Sequence, residues 1–136
     1  QPTKIKSPLE EETKPYEFYE YNGIKIDKEI DRRFLTQTEV YATIILKDES
    51  TLNFDPNLSK QENFLIYKQK MLYFDMLRNE FLSALNTSDF KLTSEVYGSV
   101  NGYITKYGFE KIKESPLVEV IYIPRPMYLH YRPNKL

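Results

Sequence analysis

The spacing of apolar positions changes several times along this chain, and each change marks a different element. Val40-Tyr41-Ala42-Thr43-Ile44-Ile45-Leu46 is short, β-branched and nearly unbroken, the pattern of a mostly buried strand. A polar connection from Asp48 to Leu58, containing Pro56, leads to Ser59-Lys60-Gln61-Glu62. That sequence spells a capping box, in which the serine hydroxyl and the glutamate carboxylate satisfy free amide hydrogens at a helix start. Phe64, Tyr67, Met71, Phe74, Leu77, Phe81 and Ala84 then recur at intervals of three and four, predicting a helix to about Asn86 with one stripe turned inward. The stripe is read as core, and neither Met71 nor Met76 as a cofactor contact.

Phe90, Leu92, Ser94 and Val96 alternate with polar residues as in a half-buried strand. Tyr97-Gly98-Ser99 reads as a turn and Val100 to Thr105 as the returning strand. Phe109 and Ile112 support a short helix that Pro116 stops, and Leu117 to Ile123 is the last strand. Strand, helix, strand, strand, helix, strand predicts an α+β domain of ferredoxin-like βαββαβ type, an antiparallel four-stranded sheet with two helices on one face. Upstream, Tyr16 to Tyr21 and Ile24 to Asp27 flank Asn22-Gly23, the strongest short hairpin signal, because both turn residues tolerate positive φ. An isolated hairpin is barely stable, so this one should pack on the main domain or on a partner. The expected organisation is an N-terminal extension with the hairpin (1–39), an α+β domain (40–123) and an extended C-terminal tail (124–136). The first 14 residues, with Pro2, Pro8 and Glu10-Glu11-Glu12, read as a flexible polar lead.

Composition narrows the function more than the fold. The 136 residues, 40% of them hydrophobic, can supply one core. Nineteen lysines and arginines against 20 aspartates and glutamates leave a net charge of −1, with no general pull toward nucleic acid or anionic membrane. No run of about 18 apolar residues is present, so no membrane insertion is expected. Twelve tyrosines and eight phenylalanines suit an exposed sheet face, an interface or a tyrosine-rich core rim. The chain opens on Gln1 without a signal-peptide core, as a processed piece of a larger precursor or a trimmed chain would.

Without cysteine there is neither a disulfide framework nor a thiolate site, and the single histidine, His130, rules out a multi-histidine metal centre. His130 reads as a tail residue facing a partner or solvent rather than as a base. Gly23, Gly98, Gly102 and Gly108 are scattered and spell no phosphate-cradling loop. No carboxylate pair has a spacing that singles it out as an acid/base dyad. No catalytic residue, cofactor or metal is therefore expected, and the chain does not read as an enzyme.

Three segments carry a family resemblance. Val40 to Lys47, "VYATIILK", resembles the first strand of subtilisin-type serine protease propeptides. Glu95 to Tyr107, "EVYGSVNGYITKY", is similar to their central hairpin, with an aromatic followed shortly by Asn-Gly-aromatic. Phe109 to Tyr131, "FEKIKESPLVEVIYIPRPMYLHY", is similar to their closing helix, strand and extended tail. The likeness covers about two thirds of the chain and is nearest to propeptides of large extracellular or cell-envelope subtilases. It implies an intramolecular chaperone and inhibitor, secreted or in the cell envelope, joined to its cognate protease domain before cleavage and held non-covalently afterwards. Tyr103 and Glu119 would lie on the docking sheet, while the tail fills the substrate cleft as a product would. The family pattern places Tyr128, Leu129, His130 and Tyr131 in the cleft. A cut after Leu136 would place Pro133, Asn134, Lys135 and Leu136 there instead. Tyr128 and Tyr131 could also pack on the domain's own flank. The family often carries acids just after the last strand, where this chain has Ile123-Pro124-Arg125-Pro126, leaving Glu119 as the acid of that strand.

Two other classes fit the element order. A single-stranded nucleic-acid module of ferredoxin-like fold would use Tyr103 as a stacking platform, although near-zero charge and the missing Lys/Arg-Gly-Phe motif oppose it. A small-ligand regulatory domain would dimerise through its sheet.

Overall fold

The computed structural model describes residues 15–125 of the chain. In chain order the elements are β1 (Phe18–Tyr21), β2 (Ile24–Asp27), α1 (Lys28–Phe34), β3 (Glu39–Leu46) and α2 (Lys60–Ser83), followed by β4 (Phe90–Val96), β5 (Ser99–Thr105), α3 (Lys106–Ile112) and β6 (Val118–Tyr122). They form an α+β fold with one six-stranded sheet in the order β1-β2-β6-β3-β5-β4. Neighbours are antiparallel except β2 and β6, which run parallel with Lys25 opposite Val120 and Ile26 opposite Ile121.

The hairpin forms as its sequence requires: Asn22 and Gly23 both take positive φ, 52° and 77°, and Tyr21 faces Ile24 across the turn. It does not stand apart, because β2 continues the sheet beside β6. The expectation of a wholly antiparallel four-stranded sheet is therefore corrected to six strands with one parallel pair. A third helix, α1, also went unforeseen. At seven residues it is too short for a periodic signal, and it begins directly on β2, where the Asp27 carboxylate accepts the Glu29 amide at 3.0 Å.

One face of the sheet is closed. Val40, Ala42, Ile44 and Leu46 of β3 share a cluster with Val100 and Ile104 of β5, Val118 and Ile121 of β6, and Ile24 and Ile26 of β2. Ile30 of α1, Phe74, Leu77 and Phe81 of α2, and Phe109 and Ile112 of α3 complete it, so all three helices serve that face. Burying one such side chain stabilises the fold by roughly 1.5–3 kcal/mol. Gly102 sits opposite both Ala42 and Leu92, where a Cβ would come within 2.2 Å of the Lys91 carbonyl oxygen and 2.7 Å of the Phe90 ring. The bare backbone lets Phe90 cross the strand pair and meet Phe81 edge-on, with 6.5 Å between ring centres.

The helix α2 departs from its predicted stripe. Its capping box is present, with Ser59 Oγ accepting the Glu62 amide and Glu62 Oε1 accepting the Ser59 amide. Yet only Phe74, Leu77 and Phe81 of its 24 residues carry fully buried apolar side chains, and Phe64 is 56% exposed. A helix of that length spans about 36 Å, whereas strands of five to eight residues reach roughly 17–26 Å. The first turns overhang the sheet, where Phe64 stacks on Tyr67 and Tyr67 meets Tyr97. Among the described residues no helix is long and apolar enough to cross a membrane.

Candidate functional site

Alternation that sends Val40, Ala42 and Ile44 inward sends Glu39, Tyr41, Thr43 and Ile45 to the other face, over which no described helix packs. Pairing with β5 places Tyr41 opposite Tyr103, Thr43 opposite Asn101 and Ile45 opposite Ser99. The result is a series of unlike rungs. Lys91 Nζ lies 2.9 Å from Glu39 Oε2, and Tyr41 and Tyr103 meet edge-on at 5.3 Å. The Thr43 hydroxyl donates to Asn101 Oδ1 at 2.5 Å, and Asn101 Nδ2 donates to Ser94 Oγ at 3.0 Å. Val120 and Tyr122 extend the face across β6. Tyr103 remains 43% exposed, so this surface carries amphipathic rings on a rigid backbone with its polar groups already oriented.

The root of the tail lies at the same end of the sheet. Asp27 closes β2 and Arg125 follows β6, and the parallel pairing brings their chain ends together. Arg125 Nη1 is 2.7 Å from Asp27 Oδ2, Nη2 is 3.2 Å from Oδ1, and the Ile123 amide donates to Oδ2 at 3.0 Å. The two side chains are only 6% and 1% exposed. Tyr16 covers the pair: its ring centre is 4.3 Å from the guanidinium carbon, and its hydroxyl accepts the Arg125 amide at 3.0 Å. Burial raises the Tyr16 phenol above its ordinary value of 10.0, opposed by that amide and by the nearby guanidinium charge. Tyr16 also stacks on Phe18 and meets Tyr122 edge-on, which ties the root into the open face. A buried two-point ion pair thus anchors Arg125, the last described residue, to the end of β2.

Tyr103 is placed on the open face, as a docking residue must be. Glu119 is exposed but elsewhere: the register passes from Ile45 opposite Val120 to Leu46 opposite Val118, leaving Glu119 as the extra residue of a bulge. Tyr103 pairs with Tyr41 near the start of β3 and Glu119 lies near its end, roughly 17 Å along the strand at ~3.3 Å per residue, so the two are not brought together. Tyr128, Leu129, His130, Tyr131, Pro133, Asn134, Lys135 and Leu136 lie outside the described residues. Sequence reasoning missed Tyr41, Tyr16, Asp27 and Arg125. Alternation along β3 could have paired Tyr41 with the face of Tyr103; nothing local links Asp27 to Arg125, 98 positions apart. Among the described residues, no group of three or more His, Cys, Asp or Glu side chains could hold a metal ion. No protein-family model, curated protein or solved structure matches the chain.

Proposed function

We propose that this chain is the propeptide of a subtilisin-type serine protease, a folding chaperone and inhibitor that docks by its open sheet face and directs its tail into the substrate cleft. Within it, β3 to β6 with α2 and α3 form a ferredoxin-like unit to which the hairpin and α1 are added. One observation carries the reading: a sheet face centred on Tyr41 and Tyr103, over which no described helix packs, ends where Arg125 anchors the root of the tail. An anchored root lowers the ordering cost of laying an extended segment into a cleft, and the prolines at 124 and 126 restrict φ in the same sense. Strand-like addition to the cleft supplies backbone hydrogen bonds, and residues 128–131 or 133–136 supply the pocket side chains. Secretion or a cell-envelope location, and a non-catalytic role beside the protease domain, belong to the same proposal.

The test is inhibition of the cognate protease domain by residues 1–136, by residues 1–125 and by the double variant Tyr41→Ala/Tyr103→Ala. The full chain should inhibit competitively, and removal of residues 126–136 should weaken inhibition by about a hundredfold or more. The double variant should lose about tenfold or more through the docking face alone. Equal potency without the tail would overturn the tail mechanism, and no inhibition by any form would overturn the function.

A further inference from the structure

On the side of the molecule away from the open face, α2 and α3 leave a groove between them of about 660 Å³. Its floor is apolar: Phe81 comes from the last turn of α2, Ala84 and Leu85 from the residues just after it, Ile112 from α3, and Leu117 from the residue before β6. Its rim is acidic, with Glu80 on one bank and Glu110 and Glu114 on the other. Lys111 is the cation lining it, and its ammonium is drawn to Asp89 Oδ2 at 2.9 Å. With Asp89 and Lys113 included, four carboxylates stand against two ammonium groups, which leaves the groove a negative potential above an apolar floor.

Among the described residues, Glu110 of the rim has an ion-pair partner, and Glu80 and Glu114 have none. Glu80 is exposed and makes no ion pair among the described residues. Glu110 pairs with Lys113 at 3.0 Å on the surface, where such a pair is worth little. Glu114 accepts the Tyr21 hydroxyl at 2.8 Å and the Asn22 amide at 3.1 Å, neutral donors that orient the carboxylate and leave its charge in place. The hairpin turn therefore holds one acidic bank in position. Tyr107, 70% exposed, walls the mouth and offers an aromatic surface.

We infer that this groove is a second docking site, for a basic peptide segment that buries an apolar side chain on the Ala84 floor and sets flanking lysines or arginines against Glu80, Glu110 and Glu114. Charge complementarity selects this occupant. Nucleic acid and anionic lipid surfaces meet a rim of their own sign, while a purely apolar ligand would leave the carboxylates without a counter-charge. A volume within the usual 300–1,000 Å³ of ligand sites accommodates one or two anchoring side chains, and an opening between two helices suits helix-in-groove recognition. The site does not use the open sheet face, so its occupation is compatible with docking there and does not rest on the propeptide reading.

The experiment uses the full chain and a fluorescein-labelled 12-residue peptide of lysine and leucine, with a glutamate-and-leucine counterpart, read by fluorescence anisotropy. The basic peptide should bind at least ten times more tightly than the acidic one. Ala84→Trp should fill the floor and Glu80→Lys should reverse one bank, each lowering affinity tenfold or more, while Tyr103→Ala leaves it unchanged. Should Ala84→Trp fail to fold, Glu80→Lys combined with Glu110→Lys, both at exposed positions, carries the same test. Equal binding of the two peptides, or basic-peptide binding that survives both the filled floor and the reversed rim, would overturn the inference. So would loss of binding on Tyr103→Ala, which would move the site to the sheet. Tenfold tighter binding once residues 1–14 are removed would also overturn it, since the occupant would then be the chain's own lead.

Discussion

Asp27 and Asp89 are both fully buried, lie toward opposite edges of one sheet, and are held in opposite ways. Asp27 accepts the Glu29 and Ile123 amides and both terminal nitrogens of Arg125, whose own side chain is 6% exposed. Asp89 uses a single oxygen, Oδ2, for the Asn86 amide and for Lys111, a lysine 38% exposed, while Oδ1 has no hydrogen-bond partner among the described residues. The first pair is sealed, with both side chains held out of water at the ends of β2 and β6. The second is vented, because the lysine stem can swing its ammonium into solvent. Burial of the acid alone does not decide what an ion pair is worth; the exposure of its partner does.

Substitution of each aspartate by its amide isolates that difference. Asparagine still caps a helix, so Asp27→Asn keeps the start of α1 through Oδ1, but it removes the charge facing Arg125 and puts an amide donor where Oδ2 accepted from Ile123 and Arg125. Taking the Asp27 charge away from the buried guanidinium should lower stability by about 3–5 kcal/mol in urea unfolding. Asp27→Ala should cost still more, since it also orphans the Glu29 amide. Asp89→Asn should have a clearly smaller effect, because Lys111 can move outward and an amide oxygen can still accept from Asn86. Equal losses at the two positions would abolish the distinction between sealed and vented pairs.

Much of the fold is legible in local pattern, and the pair that fixes the tail root is not. Asn22-Gly23, the capping box at Ser59 and the alternation from Val40 to Leu46 each act over a few residues, and each element formed where its pattern lies. The parallel contact of β2 with β6 joins positions about 95 apart and is selected by Ile24 and Ile26 finding the cluster around Ile121, which no window of the sequence contains. Arg125 shows the limit most plainly. In sequence it stands where the resembled family carries acids; in the fold it is among the most buried cations of the described residues. The overhang of α2 was hidden for a related reason: periodicity reports a helical face but not how far the sheet beneath it extends. Of the candidate site, Tyr103 was readable from its strand, whereas the displacement of Glu119 depends on a bulge set by cross-strand register.

The smallest expected effect is the acid response of the vented pair. The Lys111 ammonium, followed by the Asn86 amide, holds the Asp89 carboxyl below its ordinary value of 3.8, against the opposing effect of burial. The unfolded chain therefore takes up this proton first as pH falls. Stability from this group is fully present above about pH 4 and is lost as pH drops through the lower folded value. Lys111 is shifted upward from 10.5 by the same contact, so its contribution is present below that pH and disappears only as pH rises past the folded value. Between these limits the pair gives no slope. Other carboxylates, including those of Asp48 and Glu62, are also lowered, so the acid limb of the intact chain is a composite. Lys111→Met isolates the Asp89 part: the difference in unfolding free energy between the intact chain and the variant should stay constant from about pH 7 to about pH 4 and shrink below that. A difference that stays flat down to about pH 2 would mean that Lys111 does not hold the Asp89 proton off, and the vented pair would then be a contact without electrostatic consequence.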